Sequence, residues 1–388
     1  MKKKFLIFSF FISFLTFAQN QNPYSKIDFK ISNIPKDSCQ NTSSIANFIN
    51  SNFKSENDKI RAVFFWTTSN ITYDVASMNI PNGVISSEEK IKNALQNKKG
   101  VCIDYAEVFN DITNKLGIKS VIIQGYVKQF GVISPVSHAW CGAKIDNKWC
   151  FFDPTWGSGY LNNGKYIRKQ NDLYFKTKPS TLILSHMPFD YLWQFSKLIK
   201  TNQEFSTNKI ATTNATLNFD FETEITKYLE LTSNERIASS IERIEKNGIT
   251  NNLIAERIAN KKQELLVSRQ NNFAENLNKI VEVFNVAIKE FNDYIAFRNQ
   301  QFQPTVSDET ILENINSPLS KLKNCESLLY SIGTVSTENS KSLIDIRKSL
   351  FDSLEQAKEQ KKFVDLYLTK SKIGRKAMFV TTIFSRNR

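Results

Sequence analysis

Residues 137–156 read SHAWCGAKIDNKWCFFDPTW and carry the strongest fold signal of the chain. The Asp-Asn pair at 146–147 suits a tight hairpin turn, and the flanking residues follow a period of two. We therefore predict two antiparallel strands, over residues 137–145 and 148–153. Residues 120–127 share this period and predict a third strand of the same sheet.

The hairpin turn also predicts the register of the two strands. A two-residue turn pairs Ile145 with Lys148, and the same register places Trp140 opposite Asp153. His138 then lies on the same face as Asp153, at a diagonal position about 7–8 Å away at the backbone. An imidazole and a carboxylate can span that distance with a hydrogen bond. A register slip of one residue would place the two side chains on opposite faces.

Residues 99–109 read KGVCIDYAEVF, and a helix is predicted to begin there at about Val101, after Gly100, and to stop at Gly117. The apolar positions with helical spacing are Ala106, Phe109, Ile112 and Leu116. Cys102 lies in the first turn, where unpaired N–H groups and the helix dipole stabilise a thiolate. Most free cysteines are small core residues, but this position makes Cys102 a candidate nucleophile.

Cys102, His138 and Asp153 together have the general form of a Cys-His-Asp catalytic apparatus. The imidazole removes or shares the thiol proton, the thiolate forms an acyl-enzyme, and the imidazolium protonates the leaving amine. Each residue alone is a weak signal, since a lone His on a strand is more often structural and an Asp-Pro pair is more often a turn. Their order and spacing are more specific than any single residue.

Several motifs resemble the core of the transglutaminase-like superfamily, whose fold is related to papain-like peptidases. They are Gly100-Val-Cys102, His138-Ala-Trp140, Trp149 and Asp153-Pro-Thr-Trp-Gly157, with Ala62–Trp66 and Asn70–Asp74 upstream and Ser185-His186-Met-Pro188 and Trp193-Gln194 downstream. The two downstream motifs favour the bacterial branch near kyphoscoliosis-peptidase and cytokinesis-associated proteins. The resemblance spans about residues 45–200 and does not reach the C-terminal helices.

The resemblance implies an α+β core, in which a helix that bears the Cys packs on an antiparallel sheet that bears the His and the Asp. It implies Cys102 as nucleophile, His138 as general base and acid, and Asp153 as the residue that orients the imidazole. The aromatic residues predicted to line a substrate site are Trp66, Trp140 and Trp156, although a core role also suits Trp66. Cys141 stands where family members often have a polar residue, so the backbone N–H of Cys102 is the one oxyanion donor that we assign.

The N-terminus indicates export. Lys2–Lys4 are followed by the apolar run Phe5–Phe17, and small residues precede a cleavage point before Gln19. Crossing a membrane takes roughly 20 apolar residues, so this run favours a cleaved signal peptide over residues 1–18. The mature chain is expected in the periplasm, the outer envelope or the extracellular space.

The rest of the chain divides by composition. Residues 19–44 are polar and predict an extended N-terminal arm, followed by the transglutaminase-like domain over 45–200. Residues 201–216 are rich in Thr, Asn and Ser and predict a linker. Residues 217–388 predict an all-α hairpin or bundle that is folded separately and has a basic end.

The C-terminal region is expected to centre on one long helix over residues 251–303, ended by Pro304. Its apolar seam is Phe273, Leu277, Ile280, Phe284, Ala287, Phe291 and Tyr294, at the four-three spacing of a coiled coil. A helix over residues 340–369 is predicted to pack antiparallel to it, through a middle helix that Pro318 interrupts. This region could serve self-association or binding to a partner in the cell envelope.

Composition excludes several other functions. The chain is 41% hydrophobic with thirty Phe, which excludes a disordered protein, and its charge of +13 favours anionic surfaces without identifying one. We expect no metal, cofactor or nucleic acid, because the chain lacks C-x-x-C spacing, phosphate-binding glycine loops and basic runs interleaved with aromatics. His186 is interpreted as a structural hydrogen-bonding residue. Cys141 and Cys150 are predicted core residues, and any pairing of Cys39 with Cys325 stays open.

Two classes of function remain. The first is acyl transfer or amide hydrolysis through a thioester acyl-enzyme, on a peptide, protein or peptidoglycan-type substrate. The second is a non-catalytic envelope protein that uses the domain for recognition and the helices for assembly. The sequence does not separate hydrolysis from transfer, since these differ in whether water or an amine arrives second.

Overall fold

The computed structural model describes residues 22–78, 80, 85–209, 218–332 and 337–385. The chain forms two compact units, one ending at Lys262 and the other beginning at Gln263. The predicted signal peptide, residues 1–18, lies outside the described residues. In the described parts of the chain, no helix combines the length and the apolar character that membrane crossing requires.

The first unit is an α+β fold. Its helices are α1 (Ser25–Ser32), α2 (Thr42–Asn52), α3 (Glu56–Asn70), α4 (Ser87–Asn97), α5 (Cys102–Lys115), α6 (Pro154–Ser158), α7 (Pro179–Leu182), α8 (Asn202–Thr207), α9 (Phe221–Glu230), α10 (Ser233–Lys246) and the start of α11 (Asn252–Asn299). Its strands are β1 (Thr72–Tyr73), β2 (Lys99–Gly100), β3 (Ser120–Gln129), β4 (Val132–Ile145), β5 (Lys148–Phe152), β6 (Gly159–Asn162), β7 (Lys165–Arg168) and β8 (His186–Pro188).

The central sheet has four antiparallel strands in the order β5-β4-β3-β8. The predicted hairpin register is confirmed, because Ile145 pairs with Lys148 and Cys141 pairs with Phe152. Both turn residues, Asp146 and Asn147, have positive φ, as a tight hairpin turn of this kind requires. The register therefore directs His138 toward the end of β5, where Asp153 follows.

Helix α5 packs against this sheet through a continuous apolar face. Ala106, Phe109 and Ile112 are fully buried, and the thiol of Cys141 on β4 lies 3.4 Å from the carbonyl oxygen of Ala106. The first turn is held by the Asp104 carboxylate, which accepts a hydrogen bond from the backbone N–H of Val101 at 2.8 Å. The helix thus begins at Cys102, with the thiol on its first residue.

The predicted extended arm is corrected by the structure. Residues Ser25–Ser32 form helix α1, and Ile31 is buried in the core. Arg61 on α3 is fully buried and donates from Nε and Nη2 to the two oxygens of Asp28, at 2.8 and 2.7 Å. This ion pair and the apolar contact of Ile31 hold the segment against α3, which the polar composition of the arm did not indicate.

The structure also differs from the predicted domain boundary. The segment Asn202–Thr207 is helical, and Phe205 within it is buried. Tyr126 on β3 donates a hydrogen bond to Asn202 at 2.9 Å, and Arg243 on α10 binds both oxygens of Asp190, at 2.7 and 2.8 Å. Helices α8, α9 and α10 therefore belong to the first unit, and the division between units falls within α11.

The second unit is helical. It contains the rest of α11, followed by α12 (Asp308–Ser331), α13 (Thr337–Leu368) and α14 (Lys372–Ser385). Four of the seven predicted seam residues are buried in its core, namely Ile280, Ala287, Phe291 and Tyr294, and Leu277 and Phe284 are partly buried against it. The core also takes in apolar residues of α13, among them Leu343, Leu350, Leu354 and Ala357.

The predicted interruption of the middle helix at Pro318 is corrected, because α12 continues through this residue. Apolar residues on both sides of Pro318 bury one face of the helix, and their burial offsets the hydrogen bond that the proline removes. These residues are Ile311, Ile315, Leu319 and Leu322.

The antiparallel partner of α11 is α12 rather than α13. Lys321 binds Glu290 at 2.7 Å, and the thiol of Cys325 lies 3.9 Å from the carbonyl oxygen of Ile280, so the residue numbers run in opposite directions. Arg298 near the end of α11 lies 4.0 Å from the ring of Phe363 near the end of α13. The ends of α11 and α13 therefore lie together, and these two helices run in the same direction. The antiparallel neighbour of α11 is α12, because a short connection joins the two.

Candidate functional site

A cleft of about 1440 Å³ opens on the first unit, beside the start of α5. The residues around its centre are Tyr73, Cys102, His138, Thr155, Trp156 and Tyr174. Cys102 is partly exposed on this surface. The thiol therefore lies at a helix N-terminus, where the dipole favours negative charge, and a substrate can reach it.

His138 and Asp153 are in direct contact. The Nε2 atom of His138 lies 2.8 Å from Oδ2 of Asp153, and Asp153 is fully buried. The other carboxylate oxygen, Oδ1, accepts hydrogen bonds from the backbone N–H groups of Thr155 and Trp156, at 2.9 and 3.0 Å. Both carboxylate oxygens are thus held, and the imidazole is held with them.

The charges of the site follow from these contacts. Burial opposes a charge on His138, but the charge and the hydrogen bond of Asp153, together with Cys102, raise the pKa of His138 to about 10. Burial would raise the pKa of Asp153, whereas His138 and His186 hold the pKa of that carboxyl well below its usual range. The Cys102 side chain lies close enough to the imidazole of His138 to contribute to this raised pKa. The structure therefore brings the three predicted residues together around one sulfur.

His186 is a fourth member that sequence reasoning did not place at the site. Its Nε2 atom lies 3.0 Å from Oδ2 of Asp153, the oxygen that also binds His138. Its Nδ1 atom lies 2.8 Å from the hydroxyl of Ser185. The three-residue strand β8 carries His186, and no local pattern in the sequence indicates that this strand pairs with β3. The number of histidines was a signal that could have indicated His186. The chain has two, and the other one was already assigned to the site.

The three predicted tryptophans occupy different places. Trp156 lines the cleft, and its ring lies 5.6 Å from that of His138. Trp66 and Trp140 are fully buried and do not line the cleft, so their prediction as substrate-binding residues is corrected. Trp66 lies on the inner face of α3, in the core. The ring of Trp140 is stacked with the imidazole of His138, with 6.0 Å between the ring centroids.

The five cysteines are all free thiols. Cys141 and Cys150 are buried, as predicted for core residues, and burial raises the pKa of both thiols. Cys325 is buried in the second unit and Cys39 is partly exposed. Among the five, Cys102 is the thiol that faces the cleft and an imidazole.

His138, Asp153 and His186 also form a cluster of donor atoms within 4.8 Å of one another, close enough to hold a metal ion. The two nitrogen–oxygen distances, 2.8 and 3.0 Å, are those of hydrogen bonds. Each Nε2 atom has a proton to donate to the carboxylate, so the cluster is satisfied as a hydrogen-bonded network. We interpret it in that way.

Part of the chain is similar to known proteins. The family model of the transglutaminase-like superfamily matches residues 43–154. The chain is 28% identical over 165 residues to human kyphoscoliosis peptidase and 29% identical to the mouse protein, and each match covers 39% of this chain. The chain spans about a quarter of the length of these curated relatives, since the match covers 24% of each.

Two solved structures are also similar. One is described as a TGase, with 20% identity, coverage of 40% of this chain and 41% of the other, and a TM-score of 0.26. The other is the periplasmic domain of TgpA from Pseudomonas aeruginosa, with 15% identity, coverage of 34% and 48%, and a TM-score of 0.25. From the family match and the curated relatives, residues 43–154 form a domain of the transglutaminase-like superfamily.

Proposed function

We propose that this protein is a cysteine-nucleophile enzyme that transfers or hydrolyses an acyl group through a thioester. Cys102 is the nucleophile, His138 the general acid and base, and Asp153 the residue that orients the imidazole. The observation that carries the proposal is the chain of contacts from Cys102 through His138 to a buried carboxylate, on the wall of an open cleft. The membership of residues 43–154 in a superfamily of mostly cysteine-based enzymes supports it.

The chemistry follows from these positions. The Cys102 thiol gives its proton to His138, and its sulfur bonds to the carbonyl carbon of an amide. The charge that develops on the carbonyl oxygen is met by the backbone N–H of Cys102. The His138 imidazolium gives its proton to the leaving nitrogen as the carbon–nitrogen bond breaks, which leaves a thioester. Water or a second amine then loses a proton to His138 and attacks the thioester carbon, and the carbon–sulfur bond breaks. Thiolate and imidazolium are thereby restored.

The substrate class and the location are part of the same proposal. The N-terminal sequence favours export, so we propose a peptide, protein or peptidoglycan-type amide of the cell envelope as substrate. The helical second unit is proposed to bind an envelope partner or a second copy. In its last helix, Arg375 is paired with Asp308 at 2.6 Å, so part of the basic end serves internal packing.

A trapping experiment tests the enzyme proposal. The mature chain is incubated with a panel of small acyl-amide peptides, with and without hydroxylamine, and its intact mass is followed. We expect a mass increase of one acyl group on Cys102, released as the acid in water and as the hydroxamate with hydroxylamine. The ratio of these products separates hydrolysis from transfer. Cys102→Ala should give neither product, whereas product formation by this variant would exclude the proposed nucleophile.

A further inference from the structure

His186 reaches the site from the edge strand of the sheet. Strand β8 pairs antiparallel with β3, with Val127 opposite His186 and Gly125 opposite Pro188. Gly125 is also paired with His138 across the other edge of β3. A side chain at Gly125 would lie 2.1 Å from the carbonyl oxygen of Met187, so a glycine is needed here for β8 to approach. The sheet thus brings both imidazoles of the chain to one carboxylate.

The hydrogen bonds define the protonation of His186. An ionised carboxylate only accepts hydrogen bonds, so the Nε2 atom of His186 must carry a proton that it donates to Asp153. The hydroxyl of Ser185, 2.8 Å from Nδ1, can then donate to that nitrogen. Burial lowers the pKa of His186 and outweighs the raising effect of Asp153. His186 is therefore a neutral imidazole with its proton on Nε2.

The two imidazoles share one oxygen atom. Oδ2 of Asp153 binds His138 at 2.8 Å and His186 at 3.0 Å, while Oδ1 is occupied by two backbone N–H groups. A hydrogen bond donated to a carboxylate stabilises its negative charge and reduces its attraction for another proton donor. His186 therefore competes directly with His138 for the charge of Asp153.

We propose that His186 is a positioning residue of the site: by donating to the oxygen that holds His138, it fixes the Asp153 carboxylate and limits its hold on the His138 proton. This inference rests on the proposed function, in which His138 must release a proton to the leaving amine and later take one back. A carboxylate bound by His138 alone would favour the imidazolium more strongly. That would slow the transfer of the proton from the imidazolium to the leaving amine.

The neighbouring titratable groups do not provide an alternative cause. Cys102 on α5 faces His138 and raises the pKa of that imidazole. Tyr73 on β1 and Tyr174 lie near Asp153, but burial, as the main cause, raises the pKa of both phenols, so they stay neutral. Trp140 and Trp156 enclose the His186 ring at 5.2 and 4.5 Å and carry no charge.

Imidazole NMR tests the inference, because the chain contains two histidines and so gives two ring signals. The spectra are recorded on ¹⁵N-histidine-labelled protein in a Cys102→Ala background, where the raising effect of the thiol on His138 is absent. We expect one ring, His186, to be a neutral Nε2–H tautomer at pH 7. A charged His186 ring, or a proton on its Nδ1, would overturn the inference without any further variant.

The variants then separate positioning from packing. His186→Phe keeps a ring of similar size but has no N–H, so the pKa of His138 should rise by on the order of one pH unit. His186→Gln can still donate from its amide nitrogen and should restore the parent titration. An unchanged His138 titration in the folded His186→Phe variant, or a Gln variant that behaves like Phe, would contradict the inference.

Failure of the inference is distinguishable from failure of the proposed function. The NMR measurement needs no substrate and no nucleophile, whereas the trapping experiment depends on Cys102. A normal acyl-enzyme with an unshifted His138 would overturn the role of His186 alone. A shifted His138 without acyl-enzyme formation would keep the hydrogen-bond competition and overturn the enzyme.

Discussion

At the scale of single residues, Asp153 is the centre of the site. Four N–H groups converge on its two oxygens, two from imidazoles and two from the first backbone units of α6. A carboxylate with this environment stays charged although it is fully buried. It is therefore the residue whose loss should affect both the chemistry and the stability of the first unit.

Asp153→Asn keeps the shape of this residue but removes its charge. We expect the alkylation rate of Cys102 at pH 7 to fall by about tenfold or more, because the His138 imidazolium loses the carboxylate that stabilises it and so stabilises the Cys102 thiolate less. The unfolding free energy should fall by about 3 kcal/mol, as for other broken buried pairs. Asp111→Asn, at an exposed ion pair on α5, is the control. Equal rates in both variants would contradict the role of Asp153.

The titration of His138 predicts how stability depends on pH. Its pKa is about 10 in the folded protein against 6.5 for an ordinary imidazole, so the folded state binds one more proton between these values. The stabilisation that this proton gives to the folded state is fully present below pH 6.5 and is lost as pH rises through 10. The lowered pKa of His186 changes the unfolding free energy below pH 6.5, outside this window.

Urea unfolding between pH 7 and pH 9.5 measures this effect. The unfolding free energy should decrease with pH by up to about 1.4 kcal/mol per pH unit for this one proton, relative to His138→Gln. The variant serves as the control, since other titrating groups affect both proteins alike. Parallel curves for the two proteins would show that His138 is not protonated in this range.

At the scale of elements, the site depends on how closely β8 approaches β3. Gly125→Ala places a methyl group 2.1 Å from the carbonyl oxygen of Met187 and 2.6 Å from the ring of Trp140. We expect a loss of about 1–3 kcal/mol in unfolding free energy and slower alkylation of Cys102, because β8 must move and take His186 with it. Gly374→Ala, in α14, should leave alkylation unchanged. Unchanged alkylation in a folded Gly125→Ala variant would contradict this dependence.

Helices α9 and α10 are also part of the first unit, although the sequence between α8 and α9 resembles a linker. Arg243 on α10 and Asp190 form a two-bond ion pair that is largely buried. We expect a chain cut by protease within residues 210–217 to remain one species in size-exclusion chromatography. Arg243→Ala should make the cut pieces separate more readily, whereas pieces of the parent protein that separate without denaturant would contradict this assignment.

At the scale of the whole molecule, local patterns predicted most of the site. The hairpin turn determined the register of β4 and β5, and so the contact of His138 with Asp153. The glycine before Cys102 and the apolar period after it correctly predicted the start of α5. Each of these features depends on residues close together in the sequence.

The features that were not predicted depend on distant contacts. His186 is 33 residues from Asp153, and its strand has three residues, too few for a periodic pattern. Asp28 and Arg61 form a buried pair across the same number of residues, so a polar arm becomes a packed helix. The inward orientation of Trp66 and Trp140 likewise depends on which elements cover them. Tertiary contacts decide such features, and composition does not report them.

Alkylation of the folded chain by iodoacetamide near neutral pH, followed for each thiol by mass spectrometry, tests whether Cys102 is activated. Cys102 should react first, and its rate should fall by about tenfold or more in His138→Ala. Cys39 is an internal control, because it is partly exposed and both histidines of the chain are at the site. Slow labelling of Cys102, or labelling of buried Cys141 at an equal rate, would contradict a thiol activated by His138 and Asp153.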